Sequence, residues 1–484
     1  MHKITTKETL KIYNSLSKRK EIFMPIISGH VGIYVCGATV YNEVHLGNCR
    51  TFISLDLIVR YFRDLGYKVR YVRNITDVGH LEDETNDRYD KITKKALIER
   101  IHPMELAQKY TYEFHSLLDK FNAISPNIEP IASGHIIEQI EIIKILLKKG
   151  FAYEVDGSVY FDLNRYSCIY KYGILSRSLI EKTIILKDRI QKKNTIDFAL
   201  WKRADDGHVM YWVSPWGNGF PGWHLECMAM NTKYLGDVFD IQAGGVDLKF
   251  PHHECDIAQS QGLHGKIPVH YWIHTNMLTF DGKKMSKSMG NMIITYDILT
   301  KFSSDVIRFF ILQTHYRGNL SFSNKALASA EKGYSRLIDS FLNLEELFTR
   351  NIKESTSTID IITWKQKCYN AMNDDFNSPR LIALLFEAMH CIQSLMEEDE
   401  YLTYSDLRLL ENTMKNFFSE VLGLTIKIKK QTSKVEELLK ILIELRSKAR
   451  KEKNWVFSDK IRKDLLSLGY ILHDTENETK VEVI

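Results

Sequence analysis

The stretch from Tyr34 to Gly47, with the apolar run that enters it, constrains this fold more than any other part of the chain. Val31 to Val35 reads as a buried strand that delivers Cys36 and Gly37 to its carboxyl end, where open α/β sheets bind ligands. A loop carrying His45-Leu46-Gly47-Asn48 follows, then an apolar-periodic helix from Phe52 through Phe62. Strand, glycine turn, histidine and helix amino terminus together suit a triphosphate, because free backbone N–H groups and the helix dipole favour anions.

The same rhythm continues with a strand over Lys68–Ile75, a polar loop over Thr76–Arg88 and an amphipathic helix from Ala96 to Phe121. That alternation predicts a parallel, doubly wound sheet. From about 125 to 212 the character changes: Pro126 and Pro130 open a section with a helix over 135–149, a strand from Gly157 and an irregular basic run over 176–195. It reads as an insertion between two halves of the sheet domain. The sheet rhythm resumes at Tyr211–Gly245, and Val269–Leu278 leads through Asp281-Gly282 into a lysine-rich loop, Lys283–Asn291. Beyond Ile293 the pattern is helical to about 425, with a polar spacer over Asn351–Asp360. The last piece is basic at its start, with 13 Lys/Arg against 5 Asp/Glu over 427–463, and reads as two amphipathic helical stretches.

A chain of 484 residues exceeds a single core, so three or four domains are expected. Its net charge of +4 confines any nucleic-acid binding to local patches. No apolar run approaches the ~18–20 residues of a membrane span, and the first residues lack the apolar core of a secretory signal. The expectation is a cytoplasmic protein that meets no membrane. Seven scattered cysteines argue for metal binding, reactivity or burial over a disulfide framework.

Two constellations carry chemistry. In the first, Cys227 lies in Gly-Trp-His-Leu-Glu-Cys, and His252-His253-Glu254-Cys255-Asp256 opens a helix. His252 and Asp256 are four apart and share a helix face, so two cysteines with this pair would make a tetrahedral site suited to zinc. The competing reading makes Cys36 and Cys227 buried core thiols and the histidines helix caps. In the second, Lys284-Met285-Ser286-Lys287-Ser288 follows Phe280-Asp281-Gly282. A mobile loop with two lysines can close on a phosphate chain and neutralise developing charge, although a lysine-rich loop alone is usually solvated surface.

His45-Leu46-Gly47-Asn48 followed by Lys-Met-Ser-Lys-Ser resembles the signature of class I aminoacyl-tRNA synthetases. The segments YVCGATVYNEVHLGN, NITDVGH, PGWHLECMAM, GGVDLKFPHHE, HYRGNLSFS, NDDFNSPR and WVFSDKIRKDL look like the cysteinyl-tRNA synthetase family in particular, and they run from about residue 31 to 475. The resemblance implies a Rossmann-type α/β catalytic domain over 1–124 and 213–292, split by a connective insertion over 125–212. A stem-contact helical region over 293–350, an α-helical bundle over 351–425 and a small anticodon-binding domain over 426–484 would follow.

The implied activity is cysteine–tRNA ligation: ATP, with Mg2+, activates L-cysteine to the adenylate, and the aminoacyl group passes to tRNA(Cys). Residue by residue, the resemblance implies that Cys36, Cys227, His252 and Asp256 hold one Zn2+ per chain. It places Gly37, Thr39, Thr76, Trp223 and Asp247 at the substrates, Asp247 on the α-amino group or the ribose. His45 and Asn48 would support the α-phosphate, and Lys284 and Lys287 the departing pyrophosphate. Arg450, Trp455 and Asp459 sit where the family reads anticodon bases, and a monomer is the family expectation. Trp223 also reads as a core aromatic, Asp247 as a turn residue, and Trp455 as tucked into a small core beneath a charged face.

Zinc would explain selection, since a metal deprotonates a coordinating thiol whereas a serine hydroxyl is a weaker acid and harder ligand. No editing domain is therefore expected. Two departures stand out: the family's metal helix usually ends His-His-Glu-Asn-Glu, and here it is His-His-Glu-Cys-Asp; the signature's last histidine is Asn48. The fourth ligand is thus Asp256 or Cys255. The rival functions are a cysteine-activating ligase acting on a small amine, against which the basic tail counts, and a silent RNA-binding paralogue.

Overall fold

The computed structural model describes residues 9–81, 89–176, 192–280, 283–284, 294–350, 356–426, 432–474 and 479–483. The chain forms two compact units, Met1–Thr425 and Ile426–Ile484.

At the centre of the first unit lies a four-stranded parallel sheet, ordered Val269–Thr275, Phe239–Gly245, His30–Val35, Lys68–Arg73. Tyr34, Val35, Val72, Ile241, Trp272 and Ile273 are fully buried, as expected of strands covered on both faces. Residues Ile128 and Ile131 add two parallel bridges along the Lys68–Arg73 edge and beyond it. The strand order reverses between Phe239–Gly245 and His30–Val35, and a doubly wound sheet binds its ligands where the order reverses.

The helix that follows the first strand spans Leu46–Asp64, starting six residues before the apolar period does. His45 caps it, its Nδ1 accepting from Asn48 N at 3.3 Å, so a polar turn enters the helix ahead of the apolar face. This helix is a core element. Its Arg50 guanidinium donates to the carbonyls of Met277 and Gly318, and Asp56 pairs with Arg60 at 2.8 Å and with the buried Arg308.

Three readings of the sequence differ from the fold. The amphipathic run expected from Ala96 to Phe121 is two helices, Lys91–Glu99 and Pro103–Lys120. Arg100 turns left-handed at φ 56° between them and His102 caps Pro103, whose missing N–H suits the first helical turn. Residues 1–30 read from sequence as a polar lead-in with one short strand around Ile22–Ile27, and the structure has there a hairpin of Lys11–Asn14 with Arg19–Ile22. The stretch beginning at Tyr211 does not return to the parallel sheet directly. Trp212–Ser214 and Gly217–Pro221 complete a five-stranded antiparallel sheet with Ala152–Val155, Ser158–Phe161 and Phe198–Arg203. Alternation of apolar residues looks alike in either sheet, so pattern alone does not separate them.

Beyond the sheet, strand Leu278–Phe280 pairs with the backbone of Lys283–Lys284 on one side and with Leu320–Phe322 on the other. Helices Ser304–Leu312, Asn324–Thr349, Ile361–Asn373, Ser378–Met396 and Tyr404–Lys415 then follow, Asn324–Thr349 packing on Ser304–Leu312 and Ser378–Met396, and Ile361–Asn373 on Ser378–Met396 and Tyr404–Lys415. Among the described residues no helix is long and apolar enough to cross a membrane. The second unit is two helices, Thr432–Lys451 and Trp455–Ser467, and a hairpin of Tyr470–Asp474 with Thr479–Val483, closed over Ile461, Leu465 and Leu472.

Candidate active site

A cavity of about 530 Å³ opens at the carboxyl ends of the parallel strands. Its wall brings together Cys36, Gly37, Thr39, His45, Asn48, Thr76, Trp223, Cys227, Asp247 and His252, ten residues drawn from both halves of the sheet domain. Gly37 is required by close approach: a Cβ there would lie 1.5 Å from the Asn74 carbonyl oxygen. Asp247 stands exposed at the rim.

At the floor, Cys36 Sγ, Cys227 Sγ and His252 Nε2 lie within 4.8 Å of one another. The two sulfurs are 3.8 Å apart, and His252 Nε2 is 3.2 Å from Cys227 Sγ. All three residues are buried. The Cys36 thiol against it, and then burial, push the Cys227 thiol well up, while burial and the neighbouring His224 hold His252 well below its usual range as a neutral imidazole. A neutral ring is the ligand form of histidine.

Asp256 lies outside that three-residue group. Its Oδ2 accepts from Gln242 Nε2 at 2.7 Å, while Oδ1 is buried with no hydrogen-bond partner. Burial raises this carboxyl to about 8. The Gln242 amide is also 3.9 Å from Cys36 Sγ, so one glutamine bridges thiol and carboxylate. Cys255 belongs to the apolar core between the insertion and the sheet, 3.7 Å from the Tyr172 hydroxyl, not to the metal-like cluster. Two buried thiols and a neutral imidazole within 4.8 Å of one another are a donor set that fits a cation, and the partnerless Asp256 oxygen stands outside that group.

One wall of the cavity is a hydrogen-bonded frame that sequence reading passed over. Asn74 Oδ1 accepts from Gly37 N at 2.9 Å, Asn74 Nδ2 donates to Thr76 Oγ1 at 3.1 Å, and Thr76 donates to Glu226 Oε2 at 2.9 Å. Trp223 is held between two imidazoles, stacked on His80 at 3.9 Å and 8° and on His252 at 4.6 Å and 26°. It is therefore a cavity wall, not a core aromatic. His80 Nε2 faces the Lys91 ammonium at 3.0 Å, which can only donate, so Nδ1 carries the proton and donates to Thr39 Oγ1 at 2.7 Å. Burial and Lys91 hold His80 well below its usual range. The signals were present: NITDVGH contains His80, and GWHLEC places Glu226 directly beside Cys227.

The opposite end is built for anions. The amino end of Leu46–Asp64 opens on the cavity through His45 and Asn48, with its backbone N–H groups and dipole. Since His45 Nδ1 accepts from Asn48 N, the neutral ring donates from Nε2. Lys284 enters only as backbone in the short strand paired with Thr279, and Lys287 lies outside the described residues.

In the second unit Trp455 is 56% exposed at the first turn of its helix, and Asp459 is exposed one turn on. Trp455 is thus not tucked into the small core. Arg450 Nη1 is 2.9 Å from Asp474 Oδ2, a carboxylate that Arg446 grips with two bonds of 2.7 Å.

With the geometry in view, comparison with known proteins assigns a class. The family "tRNA synthetases class I (C) catalytic domain" matches residues 22–332, and the DALR domain matches residues 367–427. Two solved structures share the fold at low identity. Mycobacterium tuberculosis methionyl-tRNA synthetase in complex with methionyl-adenylate has TM-score 0.55 at 14% identity, over 81% of this chain and 89% of that one. The Agrobacterium radiobacter LeuRS–tRNA complex has TM-score 0.60 at 11% identity, over 83% and 85%. The fold is that of a class I aminoacyl-tRNA synthetase.

Sequence relatives narrow the class. Cysteine–tRNA ligases of Porphyromonas gingivalis and Bacteroides fragilis are each 47% identical over 97% of this chain and 98% of their own length. That of Chlorobaculum tepidum is 44% identical over 96% and 97%. The chain belongs to the cysteine–tRNA ligase family.

Proposed function

We propose that this chain joins cysteine to tRNA through one cleft: Cys36, Cys227 and His252 hold a zinc ion at its floor, and ATP lies along the amino end of helix Leu46–Asp64. The observation that carries this reading is the opening of the thiol–imidazole cluster and the anion-binding helix end onto the same cavity. The spacing supports zinc, because two thiolates at ~2.3 Å from a tetrahedral ion stand about 3.8 Å apart, and the sulfurs here are 3.8 Å apart. The orphaned Oδ1 of Asp256 supports the further assignment of that carboxylate to the metal's surroundings, with Gln242 holding its other oxygen.

Held by Cys36, Cys227 and His252, the metal would supply Lewis acidity, which favours a thiolate over a serine hydroxyl. The protein's own residues do the rest by position and charge. Thr76, Trp223 and Asp247 orient the amino acid so that its carboxylate attacks the α-phosphorus of ATP. The bond to the β,γ-diphosphate breaks as the adenylate forms. His45 and Asn48 donate to the phosphate in flight, and Lys284 and Lys287 take the charge that leaves with pyrophosphate. A terminal ribose hydroxyl of tRNA then attacks the adenylate carbonyl and releases AMP. No protein nucleophile is needed, so none of the seven cysteines is given that part. In the second unit, exposed Trp455 and Asp459 suit stacking on and hydrogen bonding to unpaired bases. A cytoplasmic monomer is the setting that this reading expects.

The test is cysteine-dependent exchange of pyrophosphate into ATP, with metal stripped and returned and serine run in parallel. Exchange is expected to need cysteine and about one zinc per chain. Exchange that persists without metal, or that serine supports comparably, would remove zinc from the reading.

A further inference from the structure

The assigned roles leave Glu226 unused, although it is fully buried on the helix that also carries Cys227 and its Oε2 meets a cavity residue. Its partner's chemistry can be worked out from fixed points. The backbone N–H of Gly37 can only donate, so the Asn74 atom it meets at 2.9 Å is the carbonyl oxygen, and the amide nitrogen faces Thr76. Thr76 Oγ1 therefore accepts from Asn74 Nδ2 at 3.1 Å, and with Glu226 as a carboxylate its single proton goes to Oε2, 2.9 Å away. A hydroxyl has one donor and two acceptor lone pairs. One donor and one lone pair are spent, so Thr76 has only an acceptor left for the cavity it lines.

We propose that Glu226 is a positioning residue for substrate selection: by holding the Thr76 proton it makes that hydroxyl an obligate acceptor, which takes the α-ammonium of the amino acid. This rests on the cysteine-activating reading of the cleft. It adds an ammonium filter to the thiol filter at the floor, and the two are linked by one helix, since Glu226 and Cys227 are neighbours on Trp223–Leu235. Removing the carboxyl releases the Thr76 proton to point into the cavity, toward a group that has only protons to offer.

The probe is a pair of ligands that share thiol and carboxylate and differ in the ammonium: cysteine and 3-mercaptopropionate. Glu226→Leu is expected to raise KM for cysteine in pyrophosphate exchange about tenfold, the scale of one hydrogen bond to a charged group. The inhibition constant of 3-mercaptopropionate, KM for ATP and bound zinc should stay within about twofold. Glu226→Gln, which keeps an acceptor oxygen for Thr76, should recover most of the cysteine KM. In a Thr76→Val background, Glu226→Leu should add nothing further, because the two residues act as one unit. A Leu variant that binds cysteine normally, or that loses both ligands equally, overturns the proposal, as does additivity with Thr76→Val. If the unaltered protein shows no cysteine-dependent exchange, the reading of the cleft fails instead, so the two failures are distinct.

Discussion

The cleft and the second unit present the residues proposed for recognition in opposite ways. In the cleft, Cys36, Cys227 and His252 are buried and the two thiols and the imidazole are each held by a neighbour, so the site is shaped before a substrate arrives. In the second unit, Trp455 is more than half exposed and Asp459 lies on an open helix face, over a core of a few aliphatic residues. Selecting a small thiol from its hydroxyl analogue needs a dry, rigid pocket, where an unmatched group is costly. Reading a splayed base needs an accessible aromatic face, because stacking exploits a surface that any base offers. Damage to the first region should therefore abolish chemistry, and damage to the second should weaken one substrate.

The largest expected effect is at the floor. Cys227→Ser removes a soft ligand, and the variant should lose most of its zinc by elemental analysis and fall at least a thousandfold in cysteine-dependent exchange. Retention of both would mean that the thiol pair is core packing, and the contrast between regions would collapse. Next is His45→Ala, which removes the donor and the helix cap together. Exchange should drop on the order of a hundredfold while zinc content holds. Loss of zinc in that variant would mean the two ends of the cleft are not separable.

Much of this was legible in the sequence, and unevenly. Cys36 and His45 could be placed because a strand end and a helix start are local events, each set within a few residues, whereas the close approach that requires Gly37 is to the carbonyl of Asn74. Cys227 and His252 needed the resemblance, since their meeting with Cys36 spans about half the chain. The setting of Asp256 was not readable at all. Its carboxylate engages Gln242, and whether one methylene places an oxygen on a metal or on an amide is decided by packing, not by spacing. His80 and Glu226 were missed for a related reason: each acts through a partner brought by the fold, Trp223 for one and Thr76, 150 residues away, for the other. The antiparallel sheet reaching Pro221 escaped because alternating apolar residues carry no strand order.

In the second unit the effects should be smaller and confined to RNA. Trp455→Ala is expected to raise KM for tRNA about tenfold, the lower range for loss of one stacking contact, with pyrophosphate exchange unchanged. A drop in exchange would show that Trp455 supports the catalytic unit, which would undo the division drawn above.

The smallest effect separates recognition from support. Arg450 was expected at the anticodon, yet it shares Asp474 with Arg446, which identifies it first as part of the ion-pair cluster joining helix to hairpin. Hydrogen bonding from Arg446 holds the Asp474 carboxyl well below the usual carboxylate range. Because the folded pKa is depressed, the stabilisation is present above the unfolded value of about 3.9 and is lost as pH falls below it. The protection of residues 461–472 against amide exchange in the full chain, taken relative to the intrinsic rate at each pH, should thus fall on going from neutral pH to below about 4. In Asp474→Asn that protection should already be lower at neutral pH and show less of the acid dependence. The gain is modest, since Asp474 is 30% exposed and solvent screens the pair. If Asp474→Asn instead lowers KM for tRNA with unchanged exchange, Arg450 was being withheld from RNA by its ion pair, and the second unit would be poised in the same sense as the cleft.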